Sequence, residues 1–470
     1  MSEIPGFRFA RANDLFWATI GSRFWRTSLD VYPFLIAASI PWSTTAVIVL
    51  LIIWLIVLLP TIEPDQFGRV VLHPAALAPI ALVALAVVGT LWAEGPWLNR
   101  WQGIGPAAKL LVLPVLLYHF GRSQRADWVY KAFLVSCTLL LAYSWTIYVA
   151  PAWQFTRAHG WDTTGVPVRN TIDQNQEFVL CLFGLAVASV HAFRQGRTLA
   201  AALLGGLAVA FLANVLFVAL ARTSLVYLGV IAIMFAVRNF ERRTTLLMLF
   251  GLAALVPALW LSSPNLRNRI AHIAVEYQEY RETNRPTSTG QRLTYWSQSI
   301  DWIREAPVMG HGTGSVKQFF NAAAIGKKGA WADKIANPHN QTLFVAIQWG
   351  LLGCAVLFAM WFCHARLFLT ARAFSSEVDT GSRQENASNQ ESRAPFHRNG
   401  KGSSGFAGWI GAVVVIQNVT SSLFNSHLFD FAEGWLYVVG VGVAGGAILR
   451  HTPALSSEQA VLKPKEVLRS

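Results

Sequence analysis

The chain is a succession of apolar runs separated by short polar stretches. A helix crosses a bilayer in about 20 residues. Twelve runs approach that length: roughly 25–41, 43–60, 72–93, 103–119, 128–150, 175–193, 199–219, 222–237, 243–262, 341–371, 405–423 and 431–449. The tenth is long enough to tilt or to project beyond the bilayer. The first two are short and meet at a tight turn containing Pro41. The pattern predicts an all-α polytopic membrane protein with about 12 transmembrane helices.

Two long segments between the runs differ from each other. Residues 372–404 are rich in Ser, Asn, Gln, Glu, Arg and Gly and poor in large apolar side chains, which predicts a disordered linker. Residues 263–340 carry helical patterning, aromatic residues and a glycine-rich turn, and are expected to form an ordered loop subdomain. Within it, RLTYWSQSIDWIREAP (292–307) places Leu293, Trp296, Ile300 and Ile303 at helical 3–4 spacing. Such a stripe packs on the bundle or lies at the lipid surface. The resulting division is a tail at 1–24, nine spans in 25–262, the loop subdomain 263–340, the tenth span 341–371, the linker 372–404, two spans in 405–449 and a tail at 450–470.

Composition agrees with the pattern. The 470 residues are 54% hydrophobic and 13% charged, with a mean hydropathy of +0.41, whereas soluble domains carry about 25% charged residues. The formal net charge of +13 has its explanation in membrane orientation, since basic residues gather in cytoplasmic loops; it calls for no nucleic acid. With both termini cytoplasmic, Arg122, Arg125, Lys131, Arg194, Arg197, Arg238, Arg242 and Arg243 all fall on the cytoplasmic side. The loop 263–340 then faces the opposite compartment. Cys137, Cys181, Cys354 and Cys363 sit in apolar runs, with neither metal-ligand spacing nor a disulfide framework.

Candidate chemistry gathers on the extracytoplasmic side. In NPHNQTLFVAIQWGLLG (337–353), Asn337 reads as a helix cap and Pro338 as the first helical residue. His339 is then expected in the first helical turn, where the helix dipole favours a neutral imidazole and attracts anions. A solvated histidine at a helix start is the plainer alternative. Arg222 stands alone in VLFVALARTSLVYLGVIAIMF, and a charge among apolar residues is costly and usually functional; a snorkelling arginine at a helix end is its alternative. Arg292 opens the amphipathic segment on the same side, and arginine forks match phosphate oxygens. In VPVRNTIDQNQEF (166–178), Arg169, Asn170, Asp173 and Gln174 form a polar cluster suited either to capping or to sugar hydroxyls, and Asn340 is a further candidate. The turn MGHGTGS (309–315) lacks the GK[ST] ending of a nucleotide loop. No HExxH or paired-carboxylate motif is present, and no metal is expected.

These residues also carry a resemblance. The order R…W…P…GHGTG…HN…GLLG over 292–353, together with ARTSL at 221–225, resembles the signature of the O-antigen ligase and polymerase superfamily, above all the O-antigen ligases of Gram-negative bacteria. The resemblance implies a GT-C-like glycosyltransferase architecture in the inner membrane with a periplasmic active site. It implies transfer of a glycan from undecaprenyl diphosphate to a sugar hydroxyl of lipid A–core, inverting at the anomeric carbon, without cofactor or metal. By motif, Arg222 and Arg292 would engage the diphosphate and His339 would act as base; Arg169, Asn170, Asp173, Gln174 and Asn340 would touch substrate. An O-antigen polymerase and a protein O-oligosaccharyltransferase share the signature. A transporter is a rival of another class, but Lys109 is the main ionisable residue inside the predicted spans.

Overall fold

A computed structural model describes residues 22–156, 158, 164–262, 264–283, 287–328, 332, 335–385 and 400–450. Most of the two expected tails, and residues 386–399 of the linker, lie outside the described residues. The protein is an all-α polytopic membrane protein. Its helices are α1 (Arg23–Ser39), α2 (Thr44–Leu58), α3 (Pro64–Val71), α4 (Pro74–Val88), α5 (Trp97–Ala108), α6 (Val112–Arg122), α7 (Ala126–Val149), α8 (Thr171–Arg194) and α9 (Thr198–Ala213). They continue with α10 (Arg222–Asn239), α11 (Arg242–Ser262), α12 (Pro264–Thr283), α13 (Ser288–Glu305), α14 (Ser315–Ala323), α15 (Gln341–Glu385), α16 (Gly400–Ser421) and α17 (Phe431–Leu449).

Every one of the twelve predicted spans falls on a helix, but among the described residues eight helical stretches are long and apolar enough to cross a bilayer, or nine if a bent pair is one span. The pair is α3 and α4, which meet at 79°. Pro74 starts the second of them, and the His73 side chain caps it by accepting the Ala75 N–H at 3.2 Å. At the first predicted span, α1 is only 17 residues long and carries Arg23, Arg26 and Asp30. Continuous hydrophobicity marks burial in lipid or protein equally well, so counting runs overstates the number of straight crossings.

The last helix is the centre of the bundle. Its span is 94% buried within the protein, against 22% for the span that begins at Thr44. Glycines let its neighbours approach: a Cβ on Gly442 would lie 2.5 Å from the Leu116 side chain, and one on Gly446 would lie 2.9 Å from the Leu117 carbonyl.

A second close approach joins the glycine-rich turn to α15. Gly350 interrupts that helix at φ +59° and ψ −151°. The carbonyls of Pro307 and Val308 accept from Leu351 and Leu352 at 2.8 and 3.2 Å, and His311 and Gly312 donate to Ile347 and Gln348 at 2.9 and 2.8 Å. The turn thus satisfies the backbone groups that the break leaves free, which a helix in a membrane requires. Thr313 and Gly314 donate to the Gly89 carbonyl at 3.0 Å and to Gln348 Oε1 at 2.7 Å. With these N–H groups engaged, MGHGTGS is a packing turn and cradles no phosphate.

Candidate active site

The helix α10 begins at Arg222, just after a single π-helical turn at Asn214–Val218. From that corner its guanidinium reaches α12 and forms a two-pronged pair with Glu276, at 2.9 and 3.2 Å. Glu276 also accepts from the Thr289 N–H at 3.1 Å and from the Thr289 hydroxyl. Burial pushes the Glu276 carboxyl up, but the bonds from Arg222 and Thr289 outweigh it and hold its pKa below the usual value.

Arg292 lies close by on α13. That helix starts earlier than its pattern suggests, at Ser288, because the Thr287 side chain caps it by accepting the Gly290 N–H at 3.2 Å. Arg292 therefore stands in the second turn. The helix buries Thr294, Tyr295 and Ser299; Trp296 and Ile303 pack against the core, while Leu293 and Ile300 are exposed. Among the described residues the Arg292 guanidinium makes no hydrogen bond or ion pair. Burial and the neighbouring Arg222 depress its pKa. By its charge and partial desolvation, such a cation beside a second arginine is suited to an anion.

His339 departs from the expected helical position. Its φ is +54°, a left-handed conformation that cannot continue a helix. Asn337 does cap a turn, but the turn ends at His339: Asn337 Oδ1 accepts the His339 N–H at 2.8 Å and the Ser426 hydroxyl at 2.7 Å. The helix begins only at Gln341, with Asn340 as its cap through the Leu343 N–H at 3.0 Å. The other end of the Asn340 amide donates to the Leu423 carbonyl at 3.0 Å, so both of its functions go to the backbone. Trp296 Nε1 donates to the Pro338 carbonyl at 3.1 Å and ties the histidine loop to α13.

The imidazole has a defined tautomer. Its Nδ1 lies 2.8 Å from Asn425 Oδ1, and the Asn425 amide nitrogen donates to Asp430 Oδ2 at 2.9 Å. The carboxylate orients the amide, so the amide presents its oxygen to the ring. Nδ1 must then carry the proton, and Nε2 is left with its lone pair. Burial lowers the His339 pKa, the Asn425 bond works against that, and Arg292 lowers it again, so the net shift is down. A neutral imidazole is thus available as a base below the ordinary histidine value.

Beyond Asn425 lies an acidic group that sequence spacing did not single out. His427, Asp430 and Glu433 place donor atoms within 4.8 Å of one another, with His427 Nδ1 3.2 Å from Glu433 Oε1. Burial pushes the His427 pKa down to about 4 and the Asp430 carboxyl up. By donor type the three residues suit a divalent cation, but the Lys109 ammonium already stands beside them. It donates to the Phe429 carbonyl at 3.0 Å and to the Asp430 carbonyl, which supplies positive charge without a metal. The signal for the group is the segment NSHLFDFAE at 425–433, whose polar residues recur every three positions at the mouth of a span.

Asn170 and Asp173 join this side. Asn170 caps α8 through the Ile172 and Asp173 N–H groups at 2.8 and 3.0 Å, and its amide donates to Asp173 Oδ1 at 3.0 Å. Both residues line a cavity of about 180 Å³ together with Ile172, Asn425, Asp430, Phe431, Ala432 and Glu433. Arg169 has a positive φ of 58° and lies over the Phe431 ring at 6.0 Å and 3.9 Å from Glu177 Oε1. Gln174 instead turns into the bundle, donating to Ser144 Oγ and Asn214 Oδ1 at 3.2 and 3.1 Å. The structure therefore gathers Arg222, Arg292, His339, Asn170 and Asp173 with Glu276, Asn425 and Asp430, and leaves Gln174 and Asn340 in structural contacts.

Comparison with known proteins adds one result. Residues 207–358 match the family model described as O-antigen ligase, a stretch that includes Arg222, Glu276, Arg292 and His339. No curated protein matches the chain. Over those residues the chain is similar to the O-antigen ligase family.

Proposed function

We propose that the protein is an O-antigen ligase. It transfers a glycan from undecaprenyl diphosphate to a sugar hydroxyl of lipid A–core at the periplasmic face of the inner membrane. The observation that carries this reading is the unpaired Arg292 guanidinium beside a histidine whose Nε2 is free. His339 Nε2 takes the proton of the acceptor hydroxyl. The acceptor oxygen attacks the anomeric carbon from the face opposite the leaving group, so configuration inverts. The bond from that carbon to the diphosphate oxygen breaks, and undecaprenyl diphosphate departs with the electron pair. Arg292 and Arg222 meet the charge that grows on the leaving oxygen, and fixed donors in a poorly solvated site do so without reorganising.

Glu276 fits this scheme as a resting partner. Its carboxylate fills the Arg222 fork that the diphosphate takes when the donor arrives. Asn425 holds His339 in the reactive tautomer, with Asp430 behind it. With Lys109 offsetting the nearby carboxylates, the reaction needs no metal.

The test is transfer in vitro from purified lipid-linked glycan, offered in parallel to lipid A–core, to a second lipid-linked repeat unit and to a pilin-like protein. Glycosylated lipid A–core is the expected product. Chain extension without core transfer, or glycosylated protein alone, would replace the ligase by a polymerase or a protein glycosyltransferase.

A further inference from the structure

We infer that the cavity bounded by Asn170, Asp173, Asn425, Asp430, Phe431 and Glu433 seats one sugar ring of the acceptor glycan, and that it selects an uncharged or amine-bearing ring over a phosphorylated or carboxylated one. The inference rests on the ligase reading for its word acceptor, and on the cavity itself for the rest.

The volume suits a single ring. About 180 Å³ is well above the ~10–15 Å³ that one water needs by the same measure, room enough for a sugar ring. The lining suits a sugar as well. Carboxylates accept hydroxyl protons, amides offer both donor and acceptor, and the Phe431 ring offers an apolar face for the C–H side of a pyranose. Arg169 lies over the same ring at 6.0 Å, inside the reach of a cation–π contact, and so helps hold Phe431 in place.

Charge divides the site into two lobes around His339. One holds Arg222 and Arg292 and suits the diphosphate of the donor. The other holds Asp173, Asp430 and Glu433, with Glu177 behind them, against two cations: Lys109, which donates to the Phe429 and Asp430 carbonyls, and Arg169, which lies between Phe431 and Glu177. An anionic substituent on a ring in the acidic lobe meets carboxyl oxygens in a partly desolvated setting, where each ionised one repels it strongly. A hydroxyl or an ammonium meets acceptors. Asn425 is the wall between the lobes: it lines the cavity and bonds His339 Nδ1, so a ring seated there lies one side chain from the base.

The experiment uses the full chain in lipid nanodiscs. Saturation-transfer NMR is recorded with methyl glucoside, methyl glucosaminide and glucose 6-phosphate, each alone and against lipid A–core. The two methyl glycosides should give signals that lipid A–core displaces, and glucose 6-phosphate should give at least about fivefold less. Phe431→Ala should abolish the glycoside signal and raise the acceptor KM about tenfold, the scale of losing one stacked face, with the donor KM unchanged. Asp173→Asn should admit glucose 6-phosphate. An unchanged donor KM and thermal transition separate a lost subsite from a damaged fold. Equal signals from all three sugars, or an unaltered acceptor KM in Phe431→Ala while transfer persists, would overturn the subsite and leave the ligase reading standing. Glycoside binding lost in Phe431→Ala by a protein with no transferase activity would overturn the ligase reading and leave the cavity as a sugar site.

Discussion

The two sides of His339 are built in opposite ways. On one side, Arg222 and Glu276 meet at the junction of α10 with α12, with 34% and 18% of their side-chain surface still exposed, and Arg292 makes no hydrogen bond or ion pair among the described residues. On the other, His427 and Glu433 are 0% and 5% exposed, and Asp430, Asn425 and Lys109 are bonded to one another or to backbone at the head of the most deeply buried helix. The first side can exchange a carboxylate for another anion at little cost, because partly exposed pairs contribute little. The second is deeply buried and held through Asn425, Asp430 and Lys109, while both His427 ring nitrogens lack a hydrogen bond, so a change of partner there is costly. A reaction that must admit and release a charged lipid while keeping its base in register calls for both.

The largest effect should come from the residue between the two sides. His339→Ala is expected to lower transfer about 10²–10⁴-fold, the range for loss of a general base, in a protein that still inserts and accumulates. His311→Ala should be far milder, since His311 Nε2 lies 2.8 Å from the Trp302 carbonyl and serves the packing turn. Transfer rates at matched protein levels decide it. An essential His311 with a dispensable His339 would dissolve the two-sided site.

Arg222 comes next and tests the exchangeable side. Lysine keeps the charge but loses the planar fork, so Arg222→Lys should be severely impaired and Arg222→Ala at least as poor. The loss should be read as lower kcat/KM for the lipid-linked donor, because the bound diphosphate, once it has displaced water from the partly exposed fork, is left without its charged partner. Arg292→Lys should be tolerated better. Wild-type turnover by Arg222→Ala would end its role at the diphosphate.

The two sides also differed in how far the sequence betrayed them. A lone arginine between apolar runs is conspicuous because membranes penalise charge, so Arg222 could be read directly. His339 was visible for its setting, yet Asn337 and Pro338 suggested a helix start three residues too early. The Asn337 side chain closes a local turn on His339 instead, and Asn340 takes over as cap. The fixed side was nearly silent. Asn425 meets His339 across 86 residues of sequence, and Asp173 meets Glu433 from a different helix; spacing rules report only neighbours along one element. For the same reason the runs located the helices but neither the break at Gly350, whose partner is the turn after α13, nor the 79° bend after α3.

Asn425→Ala probes the fixed side. It removes the acceptor that keeps the proton on Nδ1, so the imidazole divides between tautomers and orientations. A loss of ~10–100-fold in kcat is expected, the scale seen when outer partners of functional histidines are removed, with donor KM little changed. A KM effect on donor alone would place Asn425 with the arginines instead. Glu276→Gln should do the reverse at smaller scale. It frees the Arg222 fork of a competing charge, and donor KM should fall by up to about fivefold, the range for a partly exposed pair. A rise in donor KM would show that Glu276 positions Arg222 for the donor and does not compete with it.

The smallest effect is the most specific, because it asks whether the two sides communicate through the base. His339 must be neutral to accept a proton, and its pKa lies below the ordinary 6.5. Activity should therefore be level around pH 7 and should fall only as the pH drops through that lowered value. Arg292 contributes to the depression, so Arg292→Gln should raise the His339 pKa and move the acid limb of the profile upward, toward the ordinary histidine range. Asn425 acts with the opposite sign, since its oxygen stabilises the protonated ring; in Asn425→Ala the limb should move further down, on a lower plateau. Profiles of kcat for wild type and both variants, taken at saturating donor, separate the cases. Opposite displacements are expected of a base held between a cation and a hydrogen-bond acceptor. Identical limbs in all three proteins would mean that the titrating group is not His339.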